Sequence, residues 1–402
     1  MDEHLISRRE WSRRSSAAAL ACLAAQPPGS GPGRRFRLLE TAGLRRFGYP
    51  VHAEFPKPTG ATRFTLIQDG KPVPAQFRAV RDASGAERVS LDFNASLGPL
   101  ESAVYEVRSG EDGPDAEPRR GLKVESAGDS FRIDGTGMIY EVPMDLSGFL
   151  GRVAQGDREF LGRKSTGLWL RPAGRQSGGS EPRPLALRGV ISRRGPLAMG
   201  LRYDGVGNDD GRRVAVAVEL TFPSSKSWVE LNASIGDSGA GPAYELGIDL
   251  DLAIEGSPTL VDLGATGTVY GTLQGEERLS LIGLPGAGWE VIKGDRRQDV
   301  LQAKPPRGPG KPDSPNAEGW AHVMDATRCT AVAVADFGTR ARDQIEVSAN
   351  GRLRVTRRFP EGTQGPRSLR AWYHFVPMPV QVGAVTSPQS MLAPLEVEWI
   401  HV

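Results

Sequence analysis

Residues 214–222 read Val214-Ala215-Val216-Ala217-Val218-Glu219-Leu220-Thr221-Phe222. Large apolar side chains recur at every second position, so five of them share one face of an extended chain. That period belongs to a β-strand with one buried face. Val229, Leu231, Ala233 and Ile235 repeat it, with Trp228, Glu230 and Asn232 opposite. Leu246, Ile248, Leu250 and Leu252 repeat it again against Glu245, Gly247, Asp249 and Asp251. Long amphipathic helical windows are absent. The fold class is therefore all-β, with antiparallel sheets that are apolar on one face and wet on the other.

Upstream, shorter alternating runs occur at Phe64–Ile67, Val73–Phe77, Val89–Phe93 and Ala103–Val107, with turn signals at Asp69-Gly70 and Ser84-Gly85. They predict a small N-terminal β-barrel over residues 36–110. Residues 111–121 are charged, Pro/Gly-rich and without periodicity, and read as a linker. Residues 122–402 then form a large antiparallel β-sandwich. Two stretches inside it, 173–184 and 302–319, are long enough to be lids or insertions. The 50 glycines and 31 prolines of the 402-residue chain fit this strand-and-turn reading.

Residues 1–25 are an address. Arg8-Arg9 with Trp11 resembles the twin-arginine signal of bacteria, and a small apolar run through Ala25 follows it. This predicts export to the periplasm or beyond, with 26–35 as a Pro/Gly-rich linker. Cys22 is an alternative point of lipid attachment. No stretch approaches the ~20 apolar residues of a transmembrane helix. Lys and Arg number 50 against 48 Asp and Glu, a net charge of +2, which argues against a nucleic-acid partner. Two cysteines, Cys22 and Cys329, exclude a disulfide framework and a Cys-based metal cluster. No metal and no cofactor are expected. A phosphate loop and a Gly-x-Ser-x-Gly elbow are both missing.

Of five histidines, His4 lies in the signal and His401 at the end, which leaves His52, His322 and His374 as candidates. In Arg370-Ala371-Trp372-Tyr373-His374, strand alternation sends Arg370, Trp372 and His374 to one face. A cation, an aromatic plate and a titratable base in one row suit an acidic sugar. The plainer alternative is a buried Trp and a structural His. Trp320 and His322 share a face of a second strand. Arg352 and Arg354 belong to a basic row that also includes Arg358; such a row either holds a polyanion or is a solvated face. His52 reads as structural.

The small domain carries Arg46-Phe47-Gly48-Tyr49-Pro50-Val51, then Asp69-Gly70-Lys71-Pro72-Val73-Pro74-Ala75-Gln76, then Leu91-Asp92-Phe93 and Leu97-Gly98-Pro99. These segments, about 70 residues in all, resemble the N-terminal RIFT-barrel domain of exo-rhamnogalacturonan lyase-like secreted bacterial proteins. The resemblance implies a barrel followed by a sandwich similar to those of polysaccharide lyases and mutarotases. It also implies further domains, for which this length leaves no room after one sandwich, and it transfers no catalytic residue. The expected function is β-elimination on an acidic, uronate-containing polysaccharide. In that chemistry Arg370 or the Arg352/Arg354 row neutralises the carboxylate, His374 or Tyr373 takes the proton, and His322 is the other acid/base group. Trp372 and Trp320 supply platforms. A non-catalytic carbohydrate-binding or surface-assembly sandwich is the alternative. A glycoside hydrolase, with paired carboxylates such as Glu219 and Glu230, is the third reading.

Overall fold

A computed structural model describes residues 33–400 apart from 83, 111–120, 136, 163–164, 174–184, 186, 210–211, 237–242, 266, 298–302, 305–315, 364–366 and 380–387. The expected export signal, Cys22 and most of both linkers lie outside the described residues. So do most of the two long stretches at 173–184 and 302–319. Among the described residues every regular element is a strand save one short helix, Pro388–Leu392. No helix there is long and apolar enough to cross a membrane.

The alternating run Val214–Phe222 lies in the strand Arg212–Pro223, near one side of a ten-stranded antiparallel sheet. Its neighbours include Trp228–Gly236 and, next across, Arg367–Pro377. Val214, Val216, Val218, Leu220 and Phe222 all point into one core. A seven-stranded sheet and a five-stranded sheet supply the opposing side chains. Tyr140 of the five-stranded sheet meets Phe222 edge-on at 5.2 Å, and Phe149 lies 5.2 Å from Tyr373. Leu246, Ile248 and Leu250 point inward from the seven-stranded sheet. The all-β class and the sandwich are therefore as the alternation dictates.

The first strands make two sheets rather than the closed barrel expected. Arg34–Leu39, Ser102–Ser109, Phe64–Gln68 and Lys71–Val73 belong to one; Arg46–Pro56, Glu87–Leu97 and Ala75–Arg81 form the other. The chain crosses between them at Pro74, whose missing N–H cannot continue a ladder. Phe36, Phe93 and Tyr105 cluster between the sheets at 5.0–5.9 Å. The last strand, Glu396–Ile400, pairs with Arg34–Leu39 at the edge of the five-stranded small sheet, although its sequence position had assigned it to the sandwich.

The outer face of the ten-stranded sheet is also drier than the sequence implies. Trp228, Trp320 and Trp372 are 4–5% exposed and join the apolar cluster of the two-sheet unit, together with Met391 and Leu395. Alternation identifies the second face of a strand. It does not say what packs there.

Candidate functional site

The two-sheet unit docks on that outer face through directed bonds. Gln76 Oε1 accepts from the Leu197 and Ala198 amides at 3.0 and 3.2 Å. Ser225 donates to Asn94 at 2.9 Å, and Lys226 Nζ donates to the Phe47 carbonyl at 2.7 Å. Arg78 donates to the Ser192 carbonyl. Arg46 is buried, paired with Glu40 at 3.0 Å, and donates to the Ser390 and Ala393 carbonyls. A cavity of about 230 Å³ remains beside these contacts.

Both units wall this cavity. From the two-sheet unit come Tyr49, His52, Asp92 and Asn94; from the sandwich come Arg193, Trp228, Glu230, Arg370 and Trp372. His52 and Asp92 are cross-strand partners, with Gln76 next in the same row. His52 Nδ1 stands 2.8 Å from Asp92 Oδ1, and Arg193 Nη1 donates to the same oxygen at 3.0 Å. The Asp92 side chain is 6% exposed and the His52 ring 42%. Arg370 donates to Glu230 Oε1 through Nε at 2.7 Å, and its guanidinium lies 4.8 Å from the Trp372 ring. Trp228 and Tyr49 meet edge-on at 6.0 Å. Burial pushes the Tyr49 phenol up to about 12, so it remains a neutral hydroxyl.

The residues singled out from the sequence separate in space. Arg370 and Trp372 reach the cavity. His374 shares their face, as alternation requires, but is 2% exposed and packs edge-on against Trp228 at 5.6 Å. Its Nδ1 has no hydrogen-bond partner among the described residues. Burial pushes its imidazole down to about 3, and Lys226 and His322 act in the same direction. His322 lies in register two strands away, with Ala331 between. Its Nδ1 is 3.7 Å from Asp262, and its ring is 5.1 Å from that of Trp320. Trp320 donates to Glu318 at 2.6 Å. Neither His322 nor Trp320 lines the cavity.

Tyr373 points the other way, into the sandwich core, where burial raises its phenol far above the usual range. Arg352 and Arg354 sit on the seven-stranded sheet, in the opposite layer. They hold Asp249, Arg352 at 2.6 Å and Arg354 through two bonds of 2.7–2.8 Å, with the Trp169 indole donating at 3.0 Å. Burial alone would raise the Asp249 carboxyl; the two arginines outweigh it and hold the group below the usual range. Among the described residues no group of three or more His, Cys, Asp and Glu could hold a metal ion.

Sequence reading gave no site role to His52, Asp92 or Arg193, which line the cavity. The signal was an acidic residue inside the apolar run Val89–Phe93 and a histidine opposite Val51, Ala53 and Phe55 on its strand.

No protein-family model matches the sequence, and no curated protein matches it. Solved structures do resemble it. One is a protein of glycosyl hydrolase family 38 from Enterococcus faecalis, with 12% identity and a TM-score of 0.57 over 92% of this chain and 47% of that one. Another is an alpha-mannosidase from Enterococcus faecalis V583, with 12% identity and a TM-score of 0.56 over 98% of this chain and 48% of that one. The chain thus spans about half the length of these structures. At such identity the likeness is one of fold.

Proposed function

We propose that this chain is a carbohydrate-active protein, that the cavity between its two units takes a sugar, and that the chemistry there is glycoside hydrolysis. One observation carries the reading: two carboxylates, Asp92 and Glu230, share a single cavity with the rings of Tyr49, Trp228 and Trp372. Aromatic rings offer flat apolar surface to the C–H face of a sugar, and a few fixed polar groups orient its hydroxyls. Hydrolysis of a glycosidic bond commonly draws on two carboxyl groups; here Glu230 faces the cavity directly, and Asp92 acts through His52, to which it is bonded at 2.8 Å. The names of the similar structures, a glycosyl hydrolase family 38 protein and an alpha-mannosidase, agree with sugar processing. The resemblance of the small unit to lyase-like proteins agrees on the sugar and differs on the bond-breaking step. The twin-arginine-like start fits a site of action outside the cytoplasm.

Elimination on a uronate is the second reading, favoured by Arg370, whose side chain is 46% exposed. A uronate carboxylate would have to displace Glu230 from it. The buried position of His374 leaves His52 as the base in that reading.

The test incubates the purified protein with neutral and uronate-containing oligosaccharides and follows two signals. Hydrolysis releases reducing ends without new ultraviolet absorbance. Elimination produces both, because an unsaturated uronate absorbs. Binding with neither signal would leave a sugar-binding module and refute the enzymatic part of the reading.

A further inference from the structure

We infer that His52, held by Asp92, is the proton-transfer residue of the cavity and that Arg193 positions the pair; this rests on the sugar reading above. The register of Arg46–Pro56 against Glu87–Leu97 sets His52 directly opposite Asp92. A carboxylate accepts hydrogen bonds and does not donate them, so the bonded Nδ1 carries the proton and the lone pair sits on Nε2. Among the described residues the acidic atom near Nε2 is Glu54 Oε1 at 3.8 Å, beyond hydrogen-bond range, while Glu54 Oε2 is taken by Arg88 at 3.2 Å. The ring lies on the cavity wall and is partly open, whereas the carboxylate behind it is buried.

The step this arrangement performs is a reversible proton transfer. Nε2 takes a proton from a water whose oxygen bonds to the anomeric carbon while the glycosidic C–O bond breaks and the departing oxygen takes a proton from solvent. The imidazolium is balanced by Asp92, and the proton leaves to product or solvent when the step is complete. Arg193 arrives from the sandwich, where the ladder between its strand, Leu187–Arg193, and Ala198–Asp209 shifts register between Ile191 and Arg193. Its bond to Asp92 fixes the carboxylate and ties the base to the wall that holds Trp228 and Glu230. His374, the histidine on the neighbouring strand face, is neutral and sealed from the cavity, and does not compete for this role.

The experiment uses nitrophenyl glycosides and unsubstituted oligosaccharides of neutral hexoses and uronic acids, with binding read by tryptophan fluorescence and turnover by nitrophenol and reducing ends. In His52→Gln, turnover is expected to fall at least about a hundredfold. Sugar affinity stays within about threefold. Arg193→Met is expected to lower kcat about tenfold with KM little changed. If His52→Gln fails to fold, carbethoxylation of His52 in the wild-type protein, mapped by mass spectrometry, is expected to abolish turnover equally. Turnover in His52→Gln within about twofold of wild type, or lost only together with affinity, would overturn the assignment. A sugar that binds but is not converted by the wild-type protein also overturns it and leaves the sugar cavity standing. If no sugar binds the wild-type protein, it is the sugar reading that fails.

Discussion

Arg193 and Asp92 meet at 3.0 Å across the seam between the sandwich and the two-sheet unit, and His52 shares the same carboxylate oxygen from the other side. Both charged side chains are largely buried, at 11% and 6% exposure. Removing one partner of such a pair strands the other. Asp92→Ala is therefore expected to cost about 3–5 kcal/mol. Arg193→Ala leaves Asp92 bonded to His52 and is expected to cost about 1–3 kcal/mol. Urea unfolding of both single variants and the double variant checks this. Single-variant losses under about 0.5 kcal/mol would mean that the seam is held elsewhere.

His374 gives the stability of the protein a pH dependence. An unfolded histidine protonates near 6.5, whereas burial holds the folded one to about 3, with Lys226 and His322 opposing its charge. Below pH 6.5 the unfolded chain therefore binds a proton that the folded chain refuses. Stability is full above that pH and falls as pH drops toward 3, by up to a few kcal/mol from this one group. His374→Leu, which fills similar space and forfeits no bond at Nδ1 among the described residues, is expected to flatten the fall. Thermal midpoints at pH 7.5 and 4.5 for both proteins make the comparison. An unchanged slope in the variant would place the pH sensitivity in other groups.

Gly247 lets the indole of Trp169 lie flat on the outer face of the seven-stranded sheet; a Cβ there would stand 2.0 Å from the ring. The same indole donates to Asp249, which gathers Arg352 and Arg354. Gly247→Ala must shift the ring and loosen that bond, at a cost of about 1–3 kcal/mol. The variant should also show altered tryptophan emission. Wild-type stability together with wild-type emission would contradict the packing described.

Trp399 lies on the last strand, 5.0 Å from Phe36 and 5.5 Å from Phe55. This ring anchors the end of the chain to its first strand. Trp399→Ala is expected to cost about 3 kcal/mol and to increase hydrogen exchange in Arg34–Leu39. Exchange in that strand at the wild-type rate would show that the last strand closes nothing.

The strands were legible because period two survives in single sequences wherever one face is buried. Val214–Phe222, Val229–Ile235 and Leu246–Leu252 each gave their inward face correctly, and alternation put Arg370, Trp372 and His374 on one side. What covers that side was not legible. Trp228 and Trp372 looked the same in sequence whether open to sugar or roofed by another unit. The roof also decided the histidines: contact with Trp228 sealed His374, while the edge of the cavity left His52 open. The His52–Asp92 pair depends on register across 40 residues, set in part by an irregularity between Arg46 and Tyr49. Such a shift leaves no periodic trace. The return of the last strand to the first is likewise a long-range pairing that local pattern does not encode.

On the proposed function, the cavity lined by Trp372 and Glu230 takes a sugar. Isothermal titration of neutral and uronate-containing mono- and oligosaccharides into the wild-type protein, Trp372→Ala and Glu230→Gln measures this. The expected result is saturable wild-type binding to at least one sugar, weakened about tenfold or more in each variant while the fold is retained. Equal affinity in all three proteins, or no binding to any sugar, would contradict it.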